Sequence, residues 1–113
     1  MELREIITYG GYFERFFDGL SHSEQEKIGY AMLLLKTQHR LPTKWIKHLR
    51  DGLYELRIEY NSNIFRIFFI FDEGNIVVLF NGFQKKSQKT PKKEIELALT
   101  LKRCYYEDKN GRE

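Results

Sequence analysis

The sequence predicts an α+β fold. It is expected to hold an antiparallel sheet, a three-stranded meander plus an N-terminal strand, with two N-terminal helices and one C-terminal helix. Three observations predict this. Between Leu53 and Phe83 lie three apolar runs separated only by Asn61-Ser62-Asn63 and Asp72-Glu73-Gly74-Asn75, and turns that short join antiparallel neighbours. Outside this block the apolar residues switch to helical spacing: Phe13, Phe16, Phe17 and Leu20, then Ile28, Ala31, Met32 and Leu35, and at the end Ile95, Ala98 and Leu99. The 113 residues, 42% hydrophobic, are enough for one core and too few for two. One domain over residues 1–107 is therefore expected, followed by a flexible tail at 108–113.

In chain order, Leu3–Tyr9 is β-prone through Ile6, Ile7, Thr8 and Tyr9, ends at Gly10-Gly11, and is expected to pair on an edge of the meander. A short helix carries the Phe13 to Leu20 stripe. Ser23 and Glu26 have the spacing of a capping box, in which side chains and backbone N–H groups satisfy each other, and are expected to open a second helix antiparallel to the first. Pro42 removes a helical donor and stops continuation, which leaves Gln38–Asp51 as a connector. In Leu53–Tyr60, strand alternation puts Tyr54, Leu56, Ile58 and Tyr60 on one face and Glu55, Arg57 and Glu59 on the other. Ile64–Phe71 is apolar on both faces except at Arg66, as suits a central strand, and Ile76–Phe83 is the third strand. Thr90 is the expected N-cap and Pro91 the first residue of a helix reaching about Tyr106. The order is β-α-α-β-β-β-α, with the helices packed on a face of the sheet.

Charge narrows the function. The net charge is only +3, but Met1–Glu26 carries a net −4 and the remainder +7. Two stretches, Lys36–Arg50 and Gln84–Lys93, hold five Lys/Arg each and no acid. Apart, they read as solvated faces. Brought together, they make a positive pole suited to a polyanion. The RNA-contacting candidates are Lys44 and Lys47 from the first stretch, Lys89, Lys92 and Lys93 from the second, and Phe83 at the strand end, whose ring either stacks on a base or closes the core. Trp45, between Lys44 and Lys47, has the same choice between a base and the core.

Several classes are set aside. No apolar stretch nears the ~20 residues of a membrane span, and MELREIITYGGYF lacks the continuous apolar core of a signal peptide. The single cysteine, Cys104, has no internal partner. A reduced cytoplasm is the expected location, with no membrane partner. "YGGY" lacks the spacing and the lysine of a phosphate loop. His22, His39 and His48 are scattered without metal-ligand spacing. No cofactor and no metal site are expected.

Arg66 is the most informative residue. A charge buried in I-F-R-I-F-F-I-F costs several kcal/mol unless it meets a partner or an open site. Either Glu55 or Glu59 pairs with it, or it lines a concave face that receives an anion. Arg57 lies on the neighbouring strand, and Lys85 and Lys86 extend from the third, so three strands aim cations at one region. Phosphate suits that region, and the free N–H groups of the helix after Thr90 add to it. Cleavage of RNA by its own 2′-OH needs in-line placement, stabilisation of charge on the phosphate, and proton transfer. Arginines supply the second, and a lysine crowded by cations has a depressed pKa that suits the third. His48 is a rival base, or an ordinary surface histidine.

"LRDGLYELRI", "IFRIFFIF" and "LFNGFQKKSQKTPKKEIELAL", in this order after two helices, resemble the RelE/HigB-like toxins of bacterial toxin–antitoxin pairs, in their phage-derived HigB-like branch. The resemblance spans roughly Tyr12 to Tyr106 and is most specific from Phe83 to Ile95. It implies a RelE-like fold and a ribosome-dependent mRNA endonuclease that inhibits translation. An antitoxin, often a helix-turn-helix protein, would neutralise it, and ribosome and mRNA would be its other partners. The family's roles carry over to Arg57 and Arg66 as contacts to the scissile phosphate, and to Lys85 and Lys86 as the basic position after the last strand. The carried-over catalytic set is thus Arg57, Arg66, Lys85 and Lys86. Other branches use a Tyr or His near the C-terminus; Tyr105 and Tyr106 are present here outside a matching motif. Alternative readings are a ParE-like inhibitor of a protein target such as gyrase, and a non-catalytic nucleic-acid-binding module.

Overall fold

The computed structural model describes residues 2–85 and 90–111. The chain forms β1 (Glu5–Thr8), α1 (Tyr12–Asp18), α2 (His22–Thr37), β2 (Ile46–Arg50), β3 (Leu53–Tyr60), β4 (Asn63–Asp72), β5 (Ile76–Lys85) and α3 (Lys92–Asn110). The strands make one five-stranded sheet in the order β1-β5-β4-β3-β2. β2, β3, β4 and β5 pair antiparallel in turn, while β1 runs parallel to β5.

The central strand decides how the layers stack. Phe65, Ile67 and Phe69 of β4 point to one face, where they meet Leu56, Ile58, Val77 and Leu79 under Ile28, Ala31 and Leu35 of α2 and Phe13, Phe16 and Phe17 of α1. Phe68 and Ile70 point to the other and join Leu53, Val78 and Phe80 under Ala98 and Leu101 of α3. A strand apolar on both sides has two faces to bury. Helices therefore cover both faces of the sheet, not one as the sequence reading expected.

Other differences have local causes. The expected connector contains β2, because Trp45 and Ile46 pack on one apolar core and Leu49 on the other, bringing the basic segment onto β3. The sheet is mixed rather than all antiparallel: α1 and α2 carry the chain from β1 at one edge to β2 at the other, so no hairpin ties β1 to its neighbour, and it lies parallel to β5. The capping box uses Ser21 and Glu24, two residues before the expected pair, with Glu24 N–H to Ser21 Oγ at 3.2 Å and Ser21 N–H to Glu24 Oε1 at 2.8 Å. Both pairs have the S-x-x-E spacing. Leu20 N–H closes α1 onto the Phe17 carbonyl, leaving Ser21 extended and in the cap position. Pro91 occupies the cap of α3, and Thr90 bonds elsewhere. The helix runs on through Asn110, beyond Tyr106. Among the described residues no helix is long and apolar enough to cross a membrane.

Two local devices set which side chains share a face. Asn61 and Ser62 both take positive φ, 49° and 68°, in the tight turn that closes the β3–β4 hairpin at Tyr60 and Asn63. Counting back from that turn, Arg57 must stand opposite Arg66. In β5 a bulge places both Phe80 and Asn81 across from Phe68. One extra residue inverts the alternation that follows, and so Phe83 and Lys85 emerge on the face that carries Arg66. Gly82 then faces α1, where an added Cβ would lie 2.7 Å from the Phe16 ring.

Candidate active site

On the α3 face, Arg57, Arg66 and Phe83 form one row across three strands, and Glu59, Ile64 and Lys85 form the next. Lys47 of β2 stands opposite Glu55 on the same face. α3 starts beside Asn81, whose side-chain amide donates to the Glu94 carbonyl and carboxylate at 3.1 Å each. Its far end reaches Asp72 through Tyr105 and Lys109. The helix thus covers the half of the face nearest the β4–β5 turn. The two arginines lie past the start of the helix, in one row with Phe83, with Arg66 itself buried.

Like charges directly opposite one another across a ladder repel, and each arginine here has an acid. Arg66 is 9% exposed and its Nη1 lies 2.9 Å from Oε1 of Glu55, itself 2% exposed. Glu55 Oε2 accepts a hydrogen bond from the Thr90 hydroxyl at 2.9 Å. Arg57 pairs with Glu59 instead. The choice left open between Glu55 and Glu59 is thereby made. Nε of Arg66 is buried with no hydrogen-bond partner among the described residues. The guanidinium is thus held on one edge by a carboxylate, while its Nε edge is enclosed without a partner among the described residues.

The electrostatics follow from this crowding. Burial lowers the pKa of Arg66, Glu55 opposes the shift, and Arg57 adds to it. With an ordinary value above 12, the group stays charged. Lys85 is also pushed below the usual lysine range, first by burial, then by Arg66, against the pull of Glu55, with further pushes from Arg57 and Lys47. Lys47 and Lys85 come from the two separate basic stretches, which the sheet has joined on one face.

The remaining candidates fall in different places. Phe83 packs its ring 5.7 Å from that of Phe68 and belongs to the core beneath α3. Lys44 lies with Trp45 and Arg57 at the edge of β3. Lys92 and Lys93 are exposed in the first turn of α3, Lys92 3.9 Å from Glu96. Lys86 and Lys89 lie outside the described residues. His48 stands opposite Tyr54, its ring 5.1 Å away, on the face turned from Arg66. Tyr105 donates to Asp72 at 2.7 Å, six positions along β4 from Arg66, or about 20 Å at strand rise. Neither His48 nor Tyr105 reaches the arginines. The sequence reading treated Thr90 as a cap and missed its bond to Glu55; a proline directly after it hid the option. Among the described residues no group of three or more His, Cys, Asp or Glu could hold a metal ion.

The sequence profile of the family described as "Phage derived protein Gp49-like" matches residues 15–103. Two curated relatives, both named "Probable endoribonuclease HigB1" and from Mycobacterium tuberculosis strains CDC 1551 / Oshkosh and ATCC 25618 / H37Rv, are each 40% identical to this chain over 60 residues. Those residues are 53% of this chain and 47% of the relative. The chain spans about half the length of the curated relatives it matches.

Proposed function

The chain belongs to the phage-derived Gp49-like family, a group of RelE/HigB-like toxins, and from that premise we propose that it is a ribosome-dependent mRNA endonuclease of a type II toxin–antitoxin system. One observation carries the reading: Arg57 and Arg66 are direct cross-strand neighbours, with Lys85 on the same face and a buried guanidinium edge unfilled.

In this reading a backbone phosphate of mRNA sits over the arginine pair. The 2′-oxygen of the preceding ribose attacks phosphorus and the P–O5′ bond breaks. A 2′,3′-cyclic phosphate and a 5′-hydroxyl result, and no co-reactant is consumed. Arg66 and Arg57 stabilise the charge that builds on the non-bridging oxygens, an effect that grows in the transition state. Lys85, its pKa lowered by burial and then Arg66, gives its proton to the leaving 5′-oxygen more readily than an unperturbed lysine, and the proton released from the 2′-OH passes through water to restore the ammonium. Phe83 supports the cluster from the core side, Lys86 stays with Lys85 in the carried-over catalytic set, and Lys47, Lys44, Lys89, Lys92 and Lys93 guide the polyanion. In-line alignment falls to the ribosome, and among the described residues no histidine lies near the arginines to serve as a base. A cognate antitoxin, a helix-turn-helix protein, would silence the chain in the cell.

Inducing the chain in bacteria tests this. Translation and growth should stop, mRNA should be cut, and co-expression of the partner should restore both. Normal growth at good expression would contradict it, and gyrase-linked DNA damage with intact mRNA would favour the ParE-like reading.

A further inference from the structure

A second cationic site lies beside the arginine pair. Past Leu56 the short strand β2 no longer pairs with β3, and the last contact across that edge is Arg57 N–H to the Trp45 carbonyl at 2.7 Å. Between this edge and α2 opens a cavity of about 250 Å³ lined by Lys27, Tyr30, Lys44, Trp45, Arg57 and Glu59, among others. Tyr30 is 55% exposed although large and aromatic, and Trp45 is half-buried with one part of its ring on the core. Among the described residues Lys27 and Lys44 have no carboxylate partner, and the one acid in the lining, Glu59, is taken by Arg57.

We infer that this cavity binds one nucleotide of single-stranded RNA, the neighbour of the nucleotide whose phosphate meets Arg57 and Arg66. Aromatic rings at a cation-lined groove are how proteins hold unpaired bases, the rings taking the base and the cations the backbone. Tyr30 and Trp45 supply the rings; Lys27 and Lys44 supply charge that nothing in the described protein neutralises. The volume is below the ~300–1,000 Å³ of pockets that enclose drug-sized ligands, which suits a single nucleotide unit. Arg57 belongs to both places: it lines the cavity and stands opposite Arg66 on the neighbouring strand, so it links the two around the edge of β3. The assignment rests on the RNA-cleaving reading above, and it extends that reading to a subsite that selects the flanking base.

Trp45 is the only tryptophan in the chain, so fluorescence excited at a wavelength that tyrosine does not absorb reports on this cavity alone. A short 2′-O-methyl oligoribonucleotide, which lacks the attacking hydroxyl, should quench Trp45 on binding to the wild-type chain. Tyr30→Ala, at an exposed position, should weaken binding by roughly fivefold to a hundredfold, the range for loss of one stacking ring. Lys44→Ala should flatten the salt dependence by about 0.7 in the log–log slope. Arg103→Ala, at an exposed position on α3 away from the cavity, should leave the quench intact. Binding without any change in Trp45 emission, or unchanged affinity in both Tyr30→Ala and Lys44→Ala, overturns the subsite. Quenching by an acidic peptide but not by the oligoribonucleotide also overturns it, and marks the cavity as a protein-docking site. The two claims separate cleanly. A chain that cuts mRNA without the quench loses only the subsite, and one that shows the quench but cuts no mRNA loses only the endonuclease reading.

Discussion

Arg66 serves the fold and the proposed chemistry at once, and substitutions can pull the two apart. With Glu55 only 2% exposed, removing the guanidinium leaves a buried carboxylate unpaired, which costs about 3–5 kcal/mol. Arg66→Met should therefore destabilise the chain by that amount in denaturant unfolding. The double change Arg66→Met with Glu55→Leu should recover most of the loss, because two apolar groups can replace a buried pair, yet remain unable to cut RNA. Recovery of cleavage in the double variant would mean Arg66 acts only through the fold. Lys85→Arg keeps the charge but cannot give up its proton near neutral pH, and should lower cleavage roughly 100-fold while association with ribosomes persists. Arg66 was legible in the sequence because it is the one charge in an apolar run. Its partner was not, since Glu55 and Glu59 share a face; only the Thr90 hydroxyl and the Arg57–Glu59 pair distinguish them.

At the scale of elements, the β5 bulge is what gathers the site. Without it, Phe83 and Lys85 would lie under α1, away from Arg66. Gly82 makes the same region tight: Gly82→Ala would press a methyl into the Phe16 ring, so a loss of about 1–3 kcal/mol is expected, visible as a melting temperature lower by several degrees. Ser21→Ala removes one half of the capping box and should cost about 1 kcal/mol, whereas Ser23→Ala should be nearly neutral. That contrast checks the cap assignment. The strands β3 and β4 were legible from alternation and from one lone charge. β2 was not, because Lys47, His48 and Arg50 mask a strand held only by Ile46 and Leu49. The bulge was invisible as well, since "LFNGF" alternates acceptably in either register. A one-residue slip therefore moved Phe83 and Lys85 between faces without any mark in the sequence.

The whole molecule divides its work between the two ends of one sheet. At the end holding the β4–β5 turn, Asp72 receives Tyr105 at 2.7 Å and Lys109 at 2.8 Å, and Lys109 also meets Glu73 at 2.8 Å. This network ties the last turns of α3 down and holds the Tyr105 phenol up at about 12, through burial and then Asp72. A raised pKa means that the folded state favours the neutral phenol. Its stabilisation is complete below the unfolded value near ~10 and is lost as pH rises through about 12. Asp72 runs the other way. Its hydrogen bonds from Lys109 and Tyr105 outweigh burial and lower its pKa, so its contribution is present above the ordinary carboxylate value near ~4 and fades as pH falls below it. Unfolding measured against pH should show both losses, and Tyr105→Phe should reduce the alkaline one, to which Tyr106, raised by burial and Asp72, also contributes. At the other end the sheet presents Arg57, Arg66 and Lys85, and there the central claim is tested most directly. Messenger RNA on programmed ribosomes should be cut by the wild-type chain. Arg66→Lys, which keeps the charge and a partner for Glu55 but loses the planar fork, should cut roughly 100-fold more slowly with ribosome association unchanged. Arg66→Lys and Arg66→Ala both cutting like the wild type would contradict the assignment of this cluster as the active site.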